Sequence, residues 1–405
     1  MLFTNVNFHL FTFVNMKNAK QKLNNLFGKY ADFRNQNLSG RYVNFDHIKD
    51  LLDALGENFL VEQIGISKLG EPVFSISFGN GNTRVLAWSQ MHGNETTTTK
   101  AVFDLLNAFQ KFPNDAMLQG ILETQRILII PMLNPDGARK YTRENANNID
   151  LNRDALSLSE VESKILRKTF QSFKPDFCFN LHDQRTIFSA GRNPNPATLS
   201  FLTPAMDEER AVHPERKISM QLIAAIAADL YQFIPGQIGR YSDEFNPNCT
   251  GDTFQTLGIP TVLFEAGHYL NDYPREKTRE FITISLLSAL NSLATVSWQG
   301  FSAQQYFDIP ENKKMFYDII LRNVQNDKNL VDVGIQFKEI LEGDAINFIP
   351  YVDKIKAQLD YYGHKEINCQ GEEVTSNAYQ TLRENDIVHH IHLKNEVLAI
   401  NYQNI

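Results

Sequence analysis

Residues 88–100, WSQMHGNETTTTK, lie where the apolar strand predicted at RVLAW gives way to a helix. They include His92 and Glu95, and a His and a Glu at i and i+3 can share one metal ion when a third ligand comes from elsewhere. Two further polar residues also end apolar runs, His182 in DFCFNLHDQ and Glu265 in IPTVLFEAG. Because open α/β sheets place their sites where the strands end, these four side chains are expected to converge at one edge of a sheet.

Each of these polar residues also has an ordinary structural interpretation. A single His-x-x-Glu pair is typical of a solvated helix start, and His182 could be a buried histidine with satisfied hydrogen bonds. Glu265 could help to cap a helix, but a carboxylate that follows an apolar run is costly to bury unless it is paired. The occurrence of all four residues at strand ends favours metal binding for His92, Glu95 and His182, and catalysis for Glu265.

Alternating apolar and amphipathic segments predict an α/β fold, in which helices flank a mixed, mostly parallel sheet. FLVEQIGIS and PVFSISFG favour an antiparallel pair, whereas four short apolar runs are typical of buried strands: RVLAW, RILIIPML, DFCFNLH and TVLFE. Helical spacing occurs in TTKAVFDLLNAFQ, SEVESKILRKTFQSF, RKISMQLIAAIAADLYQF and TREFITISLLSALNSLATV. The last of these helices is expected to close the domain.

The N-terminal region, residues 1–58, is predicted to be a helical extension of the α/β domain at 59–299. Its first segment, MLFTNVNFHLFTFVNMKN, is apolar but interrupted by Asn and His. Met16 is an alternative start, which would leave residues 1–15 outside the native chain. The segment has no basic leading stretch and no small-residue cleavage site, so it is a poor signal peptide.

Residues 313–405 are predicted to form a small domain, helical at first and mainly β afterwards, after an exposed linker at 300–312. The sequence leaves its role open between a cover over the mouth of a site and a dimer contact. VHHIHLK within it holds His389, His390 and His392, but no carboxylate or cysteine stands at ligand spacing. A half-exposed edge strand is therefore favoured over a second metal site.

Composition excludes some functions and indicates a compartment. The 405-residue chain has a net charge of −8 and no Lys/Arg stripe that would neutralise phosphates, which argues against nucleic acid as a partner. No run reaches the roughly 18 apolar residues that a membrane span requires. The cysteines, Cys178, Cys249 and Cys369, are few and odd in number, so no disulfide framework is indicated and a cytoplasmic location is expected.

A further motif, NPDGARKYTRENANNIDLNRD, begins at Asn134 and lies between the first metal-ligand pair and the distant histidine. Together with His-x-x-Glu, the later His and Phe-Glu, it makes the chain resemble the zinc carboxypeptidases of the carboxypeptidase A superfamily. The resemblance covers roughly residues 60–298, with the motifs in the family's order. It implies a hydrolase with one bound Zn²⁺ that acts on peptides with a free C-terminal carboxylate.

The resemblance assigns roles to individual residues. Seven positions match the family's functional residues: His92, Glu95 and His182 as metal ligands, Glu265 as general base, Arg143 for polarising the scissile carbonyl, and Asn152 and Arg153 for gripping the terminal carboxylate. No tyrosine stands at an unambiguous spacing for the one that covers the substrate, and Tyr241 is taken as the candidate. Arg139 and Lys140 compete with Arg143, and Tyr269 competes with Tyr241. Gly251 and Asp252 fall near the position that sets the family's preference for the C-terminal side chain of the substrate. A glycine at that position predicts neither a basic nor an aromatic C-terminal residue.

The chemistry requires these residue types. Zinc with two imidazoles and one carboxylate keeps a fourth position for water and lowers the pKa of that water to about 7. A nearby carboxylate can take the proton and return it to the leaving amine. A guanidinium stabilises the oxyanion, and a second one binds the substrate's carboxylate with a geometry that a lysine lacks.

Other functions remain open at the level of sequence. His-Gly-Asn-Glu also occurs in a sister group, the succinylglutamate desuccinylase and aspartoacylase deacylases, whereas Asn-Pro-Asp-Gly and Phe-Glu-Ala-Gly favour the peptidases. Peptidases that trim cell-wall peptides are a further alternative, and a binder of peptide termini that does not cut them is less favoured because the ligands and Glu265 are intact. About 60 mostly helical residues precede the first strand in place of a folded pro-segment, so we expect activity without proteolytic maturation.

Overall fold

The computed structural model describes residues 21–327, 329–376 and 380–404. The alternative start at Met16 and the segment 1–15 therefore lie outside the described residues. Residues 21–27 are helical. The helices that follow are Tyr30–Phe33 (α1), Phe45–Asp53 (α2), Thr97–Lys111 (α3), Ala116–Thr124 (α4), Pro135–Lys140 (α5), Val161–Phe173 (α6), Pro214–Leu230 (α7), Thr250–Thr256 (α8), Glu276–Thr295 (α9) and Ala303–Phe307 (α10).

The first nine strands belong to the α/β region. They are Leu60–Ile66 (β1), Pro72–Phe78 (β2), Thr83–Ser89 (β3), Gln125–Ile130 (β4), Phe177–Asp183 (β5), Phe188–Ala190 (β6), Leu199–Leu202 (β7), Ile238–Arg240 (β8) and Thr261–Ala266 (β9). All except β6 form one sheet in the order β1-β2-β4-β3-β5-β9-β7-β8. The neighbours from β4 to β9 run parallel, and β1 pairs with β2 antiparallel. The predicted mixed, mostly parallel sheet is confirmed.

Both faces of this sheet are covered by helices, because its central strands are apolar on both sides. Val85 and Ala87 of β3 belong to the larger core with residues of α3, α7 and α9. Leu86 and Trp88 alternate with them and pack on the opposite side with residues of α6 and α8. This two-sided burial is the pattern expected of parallel strands. No helix among the described residues is long and apolar enough to span a membrane.

The N-terminal segment is bound to the α/β region by hydrogen bonds to a buried ion pair between two of its helices. Asp104 of α3 and Arg279 of α9 are both fully buried, with Arg279 Nε 2.6 Å from Asp104 Oδ2. The Tyr30 hydroxyl and the Asn35 backbone N–H donate to the same carboxylate at 2.6 and 2.7 Å. The ion pair therefore also satisfies polar groups of the segment that precedes the sheet.

Eight strands lie toward the C-terminus. They are Asn312–Lys314 (β10), Phe316–Asn326 (β11), Asn329–Glu342 (β12), Ala345–Lys356 (β13), Tyr362–Asn368 (β14), Val374–Ser376 (β15), His390–Leu393 (β16) and Glu396–Ala399 (β17). One sheet has the order β13-β12-β11-β14 and another the order β15-β16-β17, while β10 pairs with β6 of the α/β region. These strands have a buried cluster of their own, which also takes in Tyr273.

Three details of this region differ from the sequence-based expectation. The region begins with strands β10 and β11 rather than with a helix. The segment predicted to be an exposed linker contains α10, and Tyr306 of this helix is fully buried in the larger core. Its aromatic ring contributes apolar area to the core although the residues around it in the sequence are polar. The strand with His390 and His392 is not an edge strand, because β16 pairs with both β15 and β17.

The C-terminal strands meet the α/β region at two histidines. The rings of His268 and His364 have centroids 4.2 Å apart, and the His364 ring stacks on Phe316 at 4.4 Å. Burial lowers the pKa of His268 well below its usual value and lowers the pKa of His364 to about 4. Neutral imidazoles can therefore pack at this junction as aromatic rings.

Replacement of Asp104 by Ala should strongly destabilise the fold. Arg279 would remain buried without its carboxylate, and breaking one side of a buried ion pair costs about 3–5 kcal/mol. Urea unfolding followed by circular dichroism measures the change. Arg34→Gln is the matched control, because Arg34 pairs with Glu276 at a partly exposed position and such a pair contributes at most about 1 kcal/mol. Equal losses in the two variants would contradict this account of the N-terminal segment.

Candidate active site

Three neighbouring strands bring the predicted site residues together. Strands β3, β5 and β9 lie side by side and parallel, and the register sets His182 opposite Glu265. His92 and Glu95 lie in the short loop between β3 and α3. Gly93 in that loop packs directly on the backbone, since a Cβ added there would come within 2.0 Å of the Gly137 carbonyl carbon. The four side chains therefore converge at one edge of the sheet, as expected from the sequence.

His92, Glu95 and His182 form a compact cluster of metal-ligand atoms, which lie within 4.8 Å of one another. The Nδ1 atoms of His92 and His182 are each 2.8 Å from a different oxygen of Glu95, and 3.2 Å from each other. All three side chains are buried. Two imidazole nitrogens and a carboxylate that face one point are a donor set that suits zinc, so these residues could hold one such ion.

A fourth residue, Asp150, orients the first ligand. Its Oδ1 lies 3.0 Å from His92 Nε2, the ring nitrogen that faces away from the cluster, and its Oδ2 accepts from Arg143 Nε at 3.1 Å. Burial opposes ionisation, but the bond to His92 and the charges of His92 and Arg143 outweigh it, so the pKa of Asp150 is lowered. Ligand histidines commonly donate their second N–H to a carboxylate. The sequence-based reasoning missed this role, although Asp150 stands in the Asp-Leu-Asn-Arg motif.

The two glutamates of the site, buried Glu95 and half-buried Glu265, differ in their electrostatics. Burial raises the pKa of Glu95, but the two adjacent imidazoles outweigh it and hold that pKa well below the usual value. Burial, together with the negative charges of Glu95 and Asp183, raises the pKa of Glu265 well above the usual value. Glu265 Oε2 is buried and has no hydrogen-bond partner within the part of the chain that the structure describes. Glu265 therefore offers a carboxyl group that can bind a proton beside the cluster.

The remaining predicted residues line the same cavity, whose volume is about 1080 Å³. Arg143 Nη1 lies 3.3 Å from Glu95 Oε1, so its guanidinium is adjacent to the cluster. Asn152 accepts a hydrogen bond from the Thr250 backbone N–H at 3.1 Å, which fixes its side chain, while Arg153 is exposed to the cavity. Arg139, the competitor of Arg143, instead pairs with two carboxylates, those of Asp46 and Glu71.

The two candidate tyrosines occupy different environments. Tyr241 lines the cavity, with its ring centroid 5.4 Å from that of Phe188. Burial and the nearby charge of Glu265 raise the pKa of Tyr241, so its hydroxyl stays protonated. Tyr269 packs against Phe281 in the larger core. The geometry therefore favours Tyr241 as the tyrosine that can reach a ligand.

Residues far from the motifs complete the cavity. Arg41 of the N-terminal segment and Glu339 of β12 both line it and lie 3.1 Å apart, and the Tyr141 hydroxyl donates to the same glutamate. Side chains from β12 and β13 form another part of the lining. No spacing in the sequence indicated these contributions, because they depend on how the terminal regions pack against the sheet.

Comparisons with known proteins agree with this geometry. Residues 47–204 match the zinc carboxypeptidase family model. Carboxypeptidase 2 of Trichophyton rubrum is 33% identical over 121 residues, which cover 29% of this chain and 21% of that protein. Carboxypeptidase D of Anas platyrhynchos is 34% identical over 100 residues, which cover 22% of this chain and 6% of that protein. The chain thus spans about a fifth or less of the length of these relatives.

A solved structure supports the fold. The putative carboxypeptidase A of Shewanella denitrificans superposes with a TM-score of 0.51 and 16% identity, over 62% of this chain and 70% of that chain. The matched region, with its mixed sheet, flanking helices and His-Glu-His cluster, is therefore similar to the zinc carboxypeptidases.

Asp150→Asn should weaken zinc binding about 10- to 100-fold, the usual effect of removing the partner of a ligand histidine. The reason is that His92 Nε2 would lose its charged acceptor. Competition with a chromophoric chelator, followed by metal analysis, gives the affinity. Asp252→Asn is the control, since Asp252 lines the same cavity but has no bond to His92. A similar loss in both variants would mean that Asp150 has no specific role.

Proposed function

We propose that the protein is a zinc-dependent carboxypeptidase that hydrolyses the last peptide bond of peptides with a free C-terminal carboxylate. The observation that carries this proposal is the His92, Glu95 and His182 cluster beside Glu265, in a cavity that is also lined by guanidinium groups. The family match over residues 47–204 supports the same reaction class.

The metal ligands fit one zinc ion, which when bound would supply Lewis-acid polarisation and an acidified water. The chain's own residues provide the rest. Glu95 carries the negative charge that two imidazoles stabilise, and Asp150 holds His92 in the orientation that turns its Nδ1 toward the cluster. Arg143, next to Glu95, is placed to stabilise negative charge that develops on the scissile carbonyl oxygen.

Glu265 is the residue to which we assign proton transfer. Its position opposite His182 puts it beside the cluster, and its raised pKa favours a carboxyl group that can accept a proton and then give it up. The leaving amine needs a proton when the peptide bond breaks, and Glu265 can deliver the one that it took from water.

The terminal carboxylate of the substrate is assigned to Arg153 and Asn152. A guanidinium offers two parallel N–H donors to a carboxylate, and the Asn152 side chain is already held by its bond from Thr250. Tyr241 is proposed to close over the bound substrate, since its hydroxyl stays protonated and its ring lies against Phe188.

Glu265→Gln should keep zinc but lose about 10²- to 10⁴-fold in kcat, the contribution expected of a general acid–base group. The amide has the same shape and cannot accept the proton. Steady-state kinetics and metal analysis on the same preparation separate the two effects. Glu244→Gln is the matched control, because Glu244 is an exposed carboxylate of the same cavity. Full activity of the Glu265 variant would remove this residue from the mechanism.

Arg153→Ala should lower kcat/KM about 10- to 100-fold on peptides with a free C-terminus, because a charge-assisted hydrogen bond contributes about 1.5–3 kcal/mol. The same substitution should hardly affect C-terminally amidated peptides, which have no carboxylate to bind. Arg126→Ala, at an exposed arginine of β4, serves as the control. An equal loss on free and amidated peptides would contradict the anchoring role.

Digestion of a mixed peptide library, N-acyl amino acids and cell-wall peptides, with and without a chelator, tests the function as a whole. Chelator-sensitive release of single C-terminal residues supports the carboxypeptidase. Release of acyl groups alone would move the assignment to a deacylase, and cleavage of cell-wall peptides alone to a cell-wall peptide amidase. Zinc binding without turnover on any of these would favour a non-catalytic binder of peptide termini.

A further inference from the structure

One wall of the active-site cavity is built by the C-terminal strands. Lys338 and Ile340 of β12, Ile349 and Tyr351 of β13, and Ile387 all line the cavity, and these five residues are called the C-terminal wall. Lys338 is directly paired with Ile349 across the two strands, and side chains two residues apart in a strand share a face. Ile387 joins them through a bridge to Tyr351. The wall is therefore one continuous surface.

The opposite face of β12 holds this wall against the site. Glu339 alternates with Lys338 and Ile340, and its carboxylate pairs with Arg41 and accepts the hydrogen bond from Tyr141. Burial opposes the charge of Arg41, but Glu339 outweighs it and raises the pKa of that guanidinium. The wall thus rests on charged contacts that link it to both the N-terminal segment and the α/β region.

The wall and the metal-ligand cluster line the same cavity. Arg185, three residues after His182, hydrogen-bonds to Tyr351 and lines the cavity. The residues assigned to the carboxyl end of the substrate, Asn152 and Arg153, come from a different segment. A peptide whose last bond lies at the cluster must continue on its amino side, and the C-terminal wall is an apolar surface of the same cavity to which the assignments above give no role.

The chemistry of the wall is mainly apolar. Three isoleucine side chains and one tyrosine ring provide its area, and Ile387 is 59% exposed, so it can lose contact with water when a ligand binds. Removal of apolar side-chain area from water favours binding in proportion to the area that is buried. Ligand cavities of this kind obtain affinity from apolar lining and direction from a few polar groups.

We propose that the C-terminal wall binds an apolar group on the amino side of the scissile bond. This inference rests on the proposed carboxypeptidase function and specifies its substrates as short peptides with a hydrophobic residue before the terminal one, or hydrophobic N-acyl amino acids. Both present the same apolar chemistry at the wall.

The test compares kcat/KM on matched substrates. All peptides have the same C-terminal residue and carry either leucine or glycine at each of the two positions before the scissile bond. The N-acyl amino acids carry either a hexanoyl or an acetyl group. The wild-type protein should prefer leucine or hexanoyl. Ile387→Asp should lower kcat/KM about tenfold on these substrates, because it removes the apolar contact and adds a charge. It should leave the glycine and acetyl substrates within twofold.

Val397→Asp provides the control, since Val397 of β17 is 58% exposed and is not part of the cavity lining. Val397→Asp should leave kcat/KM unchanged on both classes of substrate. Thermal unfolding checks that both variants fold. Preference for the leucine peptides identifies a side chain as the occupant, and preference for hexanoyl identifies an acyl chain. If the wild type is active and Ile387→Asp either leaves kcat/KM unchanged or lowers it equally on all substrates, the proposed role of the C-terminal wall is overturned while the proposed function stands. Absence of wild-type turnover on every peptide overturns the proposed function itself, whether or not the N-acyl amino acids are cleaved.

Discussion

The parallel pairing of β5 with β9 is the constraint on which the site depends. Its register puts His182 beside Glu265, and Leu181 beside Phe264 in the buried layer. Because side chains alternate along a strand, a shift by one residue would turn His182 to the opposite face and disrupt the packing of the apolar groups beside it. The apolar residues on both faces therefore hold the polar ones in place. Strand β3, next to β5, then adds the loop that carries the other two residues of the candidate metal site.

Electrostatic balance decides how the rest of the chain closes around this edge. Glu95, Glu265 and Asp183 are carboxylates in or next to the buried site, and such charges are unfavourable without partners. Arg275 is buried among them and donates to the carbonyl oxygens of Ala266 and Gln184. Arg41 adds a further positive charge, which Glu339 balances. The N-terminal segment and the C-terminal strands are thus parts of the cavity as well as neighbours of it.

Local sequence patterns predicted much of the fold. The strands RVLAW, DFCFNLH and TVLFE were identifiable because each is a short apolar run that ends in polar residues, and the helices because their apolar positions follow a 3.6-residue period. Tyr306 shows where such reasoning stops, since one aromatic side chain buried by distant contacts turned a supposed linker into part of the core. The prediction of an edge strand at β16 was wrong for a similar reason, because pairing partners of a strand are non-local.

The sequence by itself determined the α/β class and the four polar residues at strand ends, because residue type and spacing carry that information locally. Its resemblance to a known family pointed to Asn152 and Arg153 as the pair proposed to bind the substrate's carboxylate. The tertiary structure alone decided that Asp150 orients His92, that Tyr241 rather than Tyr269 faces the cavity, and that β12 and β13 wall it. These features depend on distances between segments that lie from 58 to about 250 residues apart in the chain. Only the packing of apolar faces and the pairing of buried charges set such distances.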